Sequence, residues 1–344
     1  MRIALTADPE LAVPPRYYGG IERIIDMLAR SLVERGHDVT LFANSTSKCV
    51  GSLKPWPGRD SRSMSDSLRN SAYLAQEVVK GRFDILHSFS RLAYLVPILP
   101  LPLPKVMTYQ RAITPRTVRF SHTMSRGTLE FTAISDWMMR EVSSIGRWSM
   151  VPNGVPMDSY DFRSDVRSDA PFVFLGRVEA SKGPHLAIEM ARRTKRSLVI
   201  AGNIPSEHRH WAETHVLRHV DGEAIRYVGP VDDAQKNALL GDAIALLMPI
   251  EWDEPFGIVM AEAMACGTPV LGLRRGAVPE VVHDGVTGFV RDDLDGLVAA
   301  ATELARIDRA ACRARVERLY SAGAVVEGYL GLYQSALHSR RSAA

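Results

Sequence analysis

The sequence predicts an α/β protein made of two successive parallel-sheet domains. Short apolar runs alternate with amphipathic stretches of helical length, and this alternation stops near residue 151 and resumes near residue 172. The length of 344 residues, with 46% hydrophobic and 24% charged composition, also exceeds what one core usually serves. Strands joined through helix-length connections form parallel sheets wrapped by helices.

In the first half, strands are expected at Ile3 to Thr6, Val39 to Phe42, Ile85 to His87, Val106 to Thr108 and Phe131 to Ile134. Helices are expected over Ile21 to Arg35, over a stretch ending near Lys80, and after Ser135, whose hydroxyl suits a helix cap. Around Val151-Pro152-Asn153-Gly154-Val155-Pro156 turn residues interrupt the pattern, and the polar stretch to Asp169 has no period. The domain boundary is placed there. Strands then recur at Phe172 to Leu175, Leu198 to Ala201, Ile225 to Val228, Ala245 to Met248 and Val270 to Gly272, with helices after Pro184 and over Ile258 to Cys266. The tail from Asp308 to Leu337 reads as one helix with a basic end at Arg340 and Arg341. Twin α/β domains bind ligands beyond the carboxyl ends of their strands, so residues just after strands, facing a cleft between the domains, are the candidates.

A net charge of +3 gives no case for nucleic acid as partner. Cys49, Cys266 and Cys312 are an odd number without metal-type spacing, and the N-terminus turns polar too soon for a signal peptide, so a cytoplasmic, disulfide-free chain is expected. The apolar run Leu92 to Pro104 is broken by Pro97, Pro100 and Pro102 and is too short to span a membrane.

The most informative segment is Glu254-Pro255-Phe256-Gly257-Ile258-Val259-Met260-Ala261-Glu262-Ala263-Met264-Ala265-Cys266-Gly267-Thr268-Pro269-Val270. Gly257 opens a helix after a strand and loop, so free N–H groups and the positive dipole end point outward. Glu254 and Glu262 are acceptor-only carboxylates, suited to the hydroxyls of a polyol, and are expected to face one site. The segment resembles the motif of the family 4 retaining glycosyltransferases of the GT-B fold: two glutamates eight positions apart around Pro-Phe-Gly, followed by Gly-Thr-Pro-Val. The resemblance implies two Rossmann-like domains facing a central cleft, with Glu254 on the transferred sugar and Glu262 on the nucleotide ribose. It also implies that the amides of Phe256, Gly257, Ile258 and Val259 line the diphosphate and sugar.

Gly176-Arg177-Val178-Glu179-Ala180-Ser181-Lys182-Gly183 follows the strand Phe172 to Leu175. Its guanidinium and ammonium can stabilise a departing diphosphate without a metal ion, and the matching family signature implies that role for Arg177 and Lys182. In Tyr17-Tyr18-Gly19-Gly20-Ile21-Glu22, paired glycines admit close backbone approach to a phosphate. By resemblance, Gly19 and Gly20 close over the donor. In Gly229-Pro230-Val231-Asp232-Asp233-Ala234-Gln235-Lys236, Val231 and Lys236 are expected at the nucleotide, and whether Asp232 or Asp233 caps the helix or meets the base stays open. The dinucleotide and Walker-type phosphate fingerprints are absent.

Family members commonly carry a histidine where this chain has Gln110. An amide can bind a sugar hydroxyl but cannot take a proton. His87 is either a structural residue or a partial substitute. The family's usual mechanism needs neither, because the leaving phosphate helps deprotonate the acceptor. From Arg111 to Arg126 four arginines and His122 occur without an acidic residue. This is either a solvated face or a surface for a phosphate- or carboxylate-bearing acceptor or an anionic membrane, with the apolar run before it as a further contact. His208, His210, His215 and His219 cluster in sequence, the last two at helical spacing, but lack the partners of a zinc site.

The expectation is thus an acceptor domain over residues 1–151, braced by a C-terminal helix over 308–338, and a donor domain over 152–307. Arg177, Lys182 and Glu254 are the catalytic candidates of a hexosyltransferase acting on a nucleotide sugar, without cofactor or metal. A soluble chain peripheral to the inner membrane face is the expected setting. A sugar phosphorylase, a nucleotide-sugar epimerase and a non-catalytic sugar-nucleotide binder are the rival readings.

Overall fold

Every ladder among the described residues is parallel, the arrangement expected of a chain whose strands mostly alternate with helices. The computed structural model describes residues 1–16 and 19–343, with side chains through His338. Tyr17 and Tyr18 of the glycine turn, and the side chains of Arg340 and Arg341, lie outside it. The chain divides into two compact units, Met1–Asn153 with Ala322–Ala344, and Gly154–Ser321.

The first unit contains β1 (Arg2–Thr6), α1 (Gly20–Glu34), β2 (Asp38–Ala43), β3 (Ser52–Pro55), α2 (Met64–Gly81), β4 (Ile85–Ser88), β5 (Lys105–Tyr109), α3 (Pro115–Ser125), β6 (Leu129–Ala133), α4 (Asp136–Met139) and β7 (Trp148–Met150). The sheet order is β3-β2-β1-β4-β5-β6-β7. The chain steps outward from β1 to β3, then returns to place β4 on the other side of β1, creating a topological switch point between β1 and β4. The central strands are buried on both faces, which explains their unbroken apolar character.

Two expectations change here. The proline-rich run folds as a 3-10 helix over Leu92–Ile98, and Tyr94, Leu95, Ile98 and Leu99 are wholly buried with Leu74 and Trp56. Burial of those side chains makes one side of the run part of a core, while Ala93, Val96 and Pro97 stay exposed. Ser135 occupies the N-cap position of α4, but its hydroxyl makes no cap hydrogen bond and is buried without a partner.

The second unit contains β8 (Phe172–Leu175), α5 (Pro184–Thr194), β9 (Leu198–Ala201), α6 (Arg209–His215), β10 (Ile225–Gly229), α7 (Asp233–Gly241), β11 (Ala245–Met248), α8 (Ile258–Ala265), β12 (Val270–Leu273), α9 (Val278–Val281), β13 (Gly288–Arg291), α10 (Leu294–Ala301) and α11 (Arg309–Leu319). Its order, β10-β9-β8-β11-β12-β13, repeats the doubly wound arrangement with the switch point between β8 and β11.

The expected single helix over 308–338 is two helices, α11 and α12 (Ala322–Ala343), which fall in different units. The reason is Arg309. Its buried guanidinium donates to the carbonyls of Arg163, Gly241 and Ala243 and to the Thr268 hydroxyl, at 2.8–3.0 Å, which ties α11 to the second unit. The helix that packs with the first unit is α12, where Tyr329 and Tyr333 are fully buried.

Candidate active site

The switch point of the second unit is where two loops meet. One follows β8 and carries Arg177 and Lys182; the other follows β11 and carries Glu254. The amide of Glu251 donates to the Ser181 carbonyl at 2.9 Å and joins them. Lys182 ends a short 3-10 turn, and its Nζ lies 2.6 Å from Glu254 Oε2. The Trp252 indole donates to the same carboxylate oxygen at 3.1 Å, and the Lys182 ammonium stands 4.5 Å from the Trp252 ring centre. The pair is largely sheltered, with the lysine and glutamate side chains 17% and 12% exposed, so its charge-assisted hydrogen bond is little screened.

The backbone of Glu254 is gripped from the loop after β12. Ala277 donates its amide to the Glu254 carbonyl at 2.8 Å, and Gly276 comes so close that a Cβ there would lie 2.4 Å from both the nitrogen and the oxygen of Glu254. Gly276 also has a φ of 52°, a second reason for glycine.

Arg177 is held by Glu179, Nη2 to Oε1 at 3.0 Å, and the Ser181 hydroxyl donates to that oxygen at 2.7 Å. The Arg177 Nε is buried and has no partner, leaving a donor unused in a polar loop. The two cations expected to act together are therefore each held by a carboxylate of these loops.

Gly257 caps α8 with no side-chain cap hydrogen bond. The first amides of α8 thus have no side-chain acceptor, and Gly257, Ile258 and Val259 remain partly exposed. Phe256 is buried, edge-on to Tyr320 at 5.4 Å between ring centres. Glu262, inside α8, accepts from Lys236 Nζ and from the Tyr160 hydroxyl, both at 2.7 Å on Oε1. Burial, and then the Glu262 carboxylate, hold the Tyr160 hydroxyl well above the usual phenol range. Glu254 and Glu262, expected at one polyol, are thus engaged by different cations, because the helix carries Glu262 toward α7 while Glu254 stays in the loop. Val231 is partly buried just before α7, and Asp232 caps α7 in a reciprocal box with Gln235.

In the first unit, Gly19 precedes α1 with a φ of 149°, and a Cβ there would meet Pro15 Cβ at 2.7 Å and Glu22 Oε2 at 2.9 Å. Gly20 faces open space. Gln110 exchanges two amide hydrogen bonds with Asn153, at 2.7 and 2.9 Å. His87 is structural: it is wholly buried, with Nδ1 2.6 Å from the Tyr333 hydroxyl and Nε2 2.6 Å from Thr108 Oγ1. Burial lowers its pKa to about 3, so it substitutes for no proton-transferring group. Arg111 lies 3.9 Å from Asp8. Among the described residues no group of three His, Cys, Asp or Glu side chains could hold a metal ion, and no helix is long and apolar enough to cross a membrane.

Two family models match successive stretches: the one described as Glycosyltransferase Family 4 over residues 18–159, and Glycosyl transferases group 1 over residues 161–310. The chain belongs to the family 4 GT-B glycosyltransferases. A glycogen synthase of Mycobacterium tuberculosis is similar to this glycosyltransferase at 26% identity, over 83% of this chain and 82% of that one. A phosphatidyl-myo-inositol mannosyltransferase of the same species is 28% identical, over 88% and 85%. Among solved structures, Anabaena HepE in complex with UDP and glucose has the same fold, with a TM-score of 0.74 at 17% identity over 97% of this chain and 100% of that one.

Sequence reasoning on this glycosyltransferase missed the residues that hold the named ones: Trp252, Tyr160, Glu179, Gly276 and Asn153. Trp252 stands two positions from Glu254 and could have been found from that spacing. Tyr160 is 102 residues from Glu262, and nothing local marks it.

Proposed function

We propose that this glycosyltransferase moves a hexose-type sugar from a nucleoside-diphosphate donor to an acceptor hydroxyl, with retention of anomeric configuration and without a metal ion. The observation that carries this reading is the Lys182–Glu254 pair at the switch point of the second unit, beside the open amides of α8. A cation and an anion held together at the end of two strands serve two halves of one substrate. Lys182 and Arg177 take the negative diphosphate, and Glu254 accepts from sugar hydroxyls. The amides of Phe256 to Val259 supply further donors to developing negative charge. Glu262, fixed by Lys236 and Tyr160, accepts from the ribose, with Val231 near the base. Gly19 and Gly20 are the proposed residues for the donor phosphate, and Gln110, paired with Asn153, for a sugar hydroxyl. The complex of HepE with UDP and glucose supports a nucleotide-sugar donor.

For the chemical step, the acceptor oxygen attacks the anomeric carbon on the face from which the diphosphate leaves. The bond to phosphate breaks as the new glycosidic bond forms, and the acceptor proton passes to a phosphate oxygen. Gln110 cannot take a proton and His87 is sealed in the core, so neither competes with that oxygen, which the resemblance to family 4 implies is the base.

The acceptor is proposed to carry phosphate or carboxylate and to be presented at an anionic membrane surface. Support comes from α3, where Arg116, Arg119, Phe120 and Met124 are exposed side by side with Arg111 and Arg126 nearby. The inositol-containing acceptor in the name of the mannosyltransferase relative agrees with this.

Thermal melting with UDP, GDP, ADP and dTDP and their sugar conjugates, in EDTA, tests the donor reading. One nucleotide should stabilise the wild type by roughly 2.7 kcal/mol at a hundredfold excess over its Kd, and Arg177→Ala should abolish the effect. NMR of the product anomeric proton tests retention. No stabilising nucleotide, or activity that requires an added divalent ion, would overturn the reading.

A further inference from the structure

A pocket of about 210 Å³ lies between α5 and the segment from α6 to His219. It is lined by His185, Glu189 and Arg192, which share one face of α5, and by His215, Arg218 and His219. Helix α6 ends at His215, Val216 leaves helical geometry at φ −125°, and a separate 3-10 turn over Leu217–His219 brings the last two residues onto α5. The expected helical spacing of His215 and His219 does not hold, and that break is what forms the pocket.

Both nitrogens of His219 face guanidinium groups. Arg192 Nη2 is 3.0 Å from Nδ1, and Arg218 Nε is 3.2 Å from Nε2. A neutral imidazole has one acceptor and one N–H, so one guanidinium points a donor at a donor. His215 stacks on Trp211 with ring centres 5.0 Å apart, and its Nδ1 donates to the Trp211 carbonyl at 3.0 Å. His185 has its Nε2 3.3 Å from Glu251, outside the pocket, while its Nδ1 is buried and unpartnered. Glu189 is the one carboxylate among the lining residues.

This arrangement does not suit a metal ion. His219 offers no lone pair that is not already faced by a guanidinium, and two fixed positive charges stand beside it. It suits an anion rich in acceptors. We propose that the pocket binds a phosphate-type oxyanion, as inorganic phosphate or as a small phosphomonoester. Arg192 and Arg218 would each gain an acceptor, His219 would be freed to donate, and the orphaned donor arrangement would be resolved. At about 30 Å³ per water, the volume equals roughly seven waters, enough for a tetrahedral oxyanion and a short organic tail. The site is separate from Arg177 and Lys182, although α5 begins two residues after Lys182.

Isothermal titration of inorganic phosphate and of glycerol 3-phosphate into the full chain tests the proposal. Arg177→Ala serves as background, so that any phosphate site formed by that arginine is removed. Binding should persist in Arg177→Ala and weaken about tenfold or more in Arg192→Gln/Arg218→Gln, the loss of a charge-assisted contact. Tighter binding of glycerol 3-phosphate identifies a phosphomonoester site, and equal or weaker binding identifies inorganic phosphate. Phosphate should also shift the imidazole ¹⁵N resonances of His219 in the unsubstituted chain, a measurement that holds if the double variant does not fold. Undiminished binding in the double variant, loss of binding in Arg177→Ala alone, or binding of zinc but not phosphate would each overturn the proposal.

Discussion

Lys182 and Glu254, 72 positions apart in sequence, are joined by a 2.6 Å bond between ammonium and carboxylate. Neither residue is in an α-helix or strand: Lys182 ends a 3-10 turn and Glu254 lies in a loop. They meet because β8 and β11 are neighbours in the sheet and the chain leaves both strands at the same end. Removing either partner leaves a sheltered charge with too few compensating groups. Lys182→Ala should lower kcat/KM by about 10²–10³, the effect of losing one preorganised donor to the leaving group. It should also cost about 1–3 kcal/mol of stability, because Glu254 keeps only the Trp252 indole. Steady-state kinetics and urea unfolding measure the two effects, and a rate loss below tenfold would count against a role at the leaving group.

Gly276→Ala tests how Glu254 is positioned. The new methyl would overlap the backbone of Glu254, 2.4 Å away, and must displace it. A misplacement of about 1 Å is expected to reduce kcat/KM about 10²-fold. Because Gly276 is not assigned to touch substrate, the loss should come with a changed hydroxyl preference among donor sugars. Kinetics with deoxy-sugar donors would show it, whereas uniform unfolding would not.

Arg309→Met should destabilise the second unit by about 2–4 kcal/mol. The methionine fills similar volume but leaves the carbonyls of Arg163, Gly241 and Ala243 without their donor. Urea denaturation followed through a tryptophan of that unit is the direct measurement.

His87 makes folding sensitive to acid. Its ordinary pKa of 6.5 falls to about 3 in the folded chain because burial disfavours the charged ring. Between those values the unfolded chain binds the proton and the folded chain does not. Stability from this group is therefore present above about pH 6.5 and is lost as pH falls toward 3, by about 2 kcal/mol at pH 5. His87→Gln should flatten that part of the stability profile, and an unchanged acid limb would contradict the assignment.

The pattern of the chain revealed the central strands of both sheets, because strands buried on both faces must be apolar throughout. It did not reveal β3 or β7. Those strands sit at the edges of their sheet, and their residues are only partly buried or exposed, so they carry no apolar run. The Pro-Phe-Gly segment and the Gly-Arg loop were legible for a different reason. A backbone that opens a helix toward a ligand needs particular residues at fixed local spacing. The cations that hold Glu254 and Glu262 follow no such spacing.

Local sequence thus determined the central strands of the two sheets, the loops that end those strands and the polar groups offered there, since each depends on neighbours a few positions away. Tertiary structure alone decided that Lys182 meets Glu254, that Tyr160 and Lys236 meet Glu262, that His87 is locked between Tyr333 and Thr108, and that α11 and α12 part company at Ser321. These pairings join residues from 21 to 246 positions apart. Such contacts are set by which strands lie side by side and which charges must be covered on burial, and no short stretch of sequence contains that information.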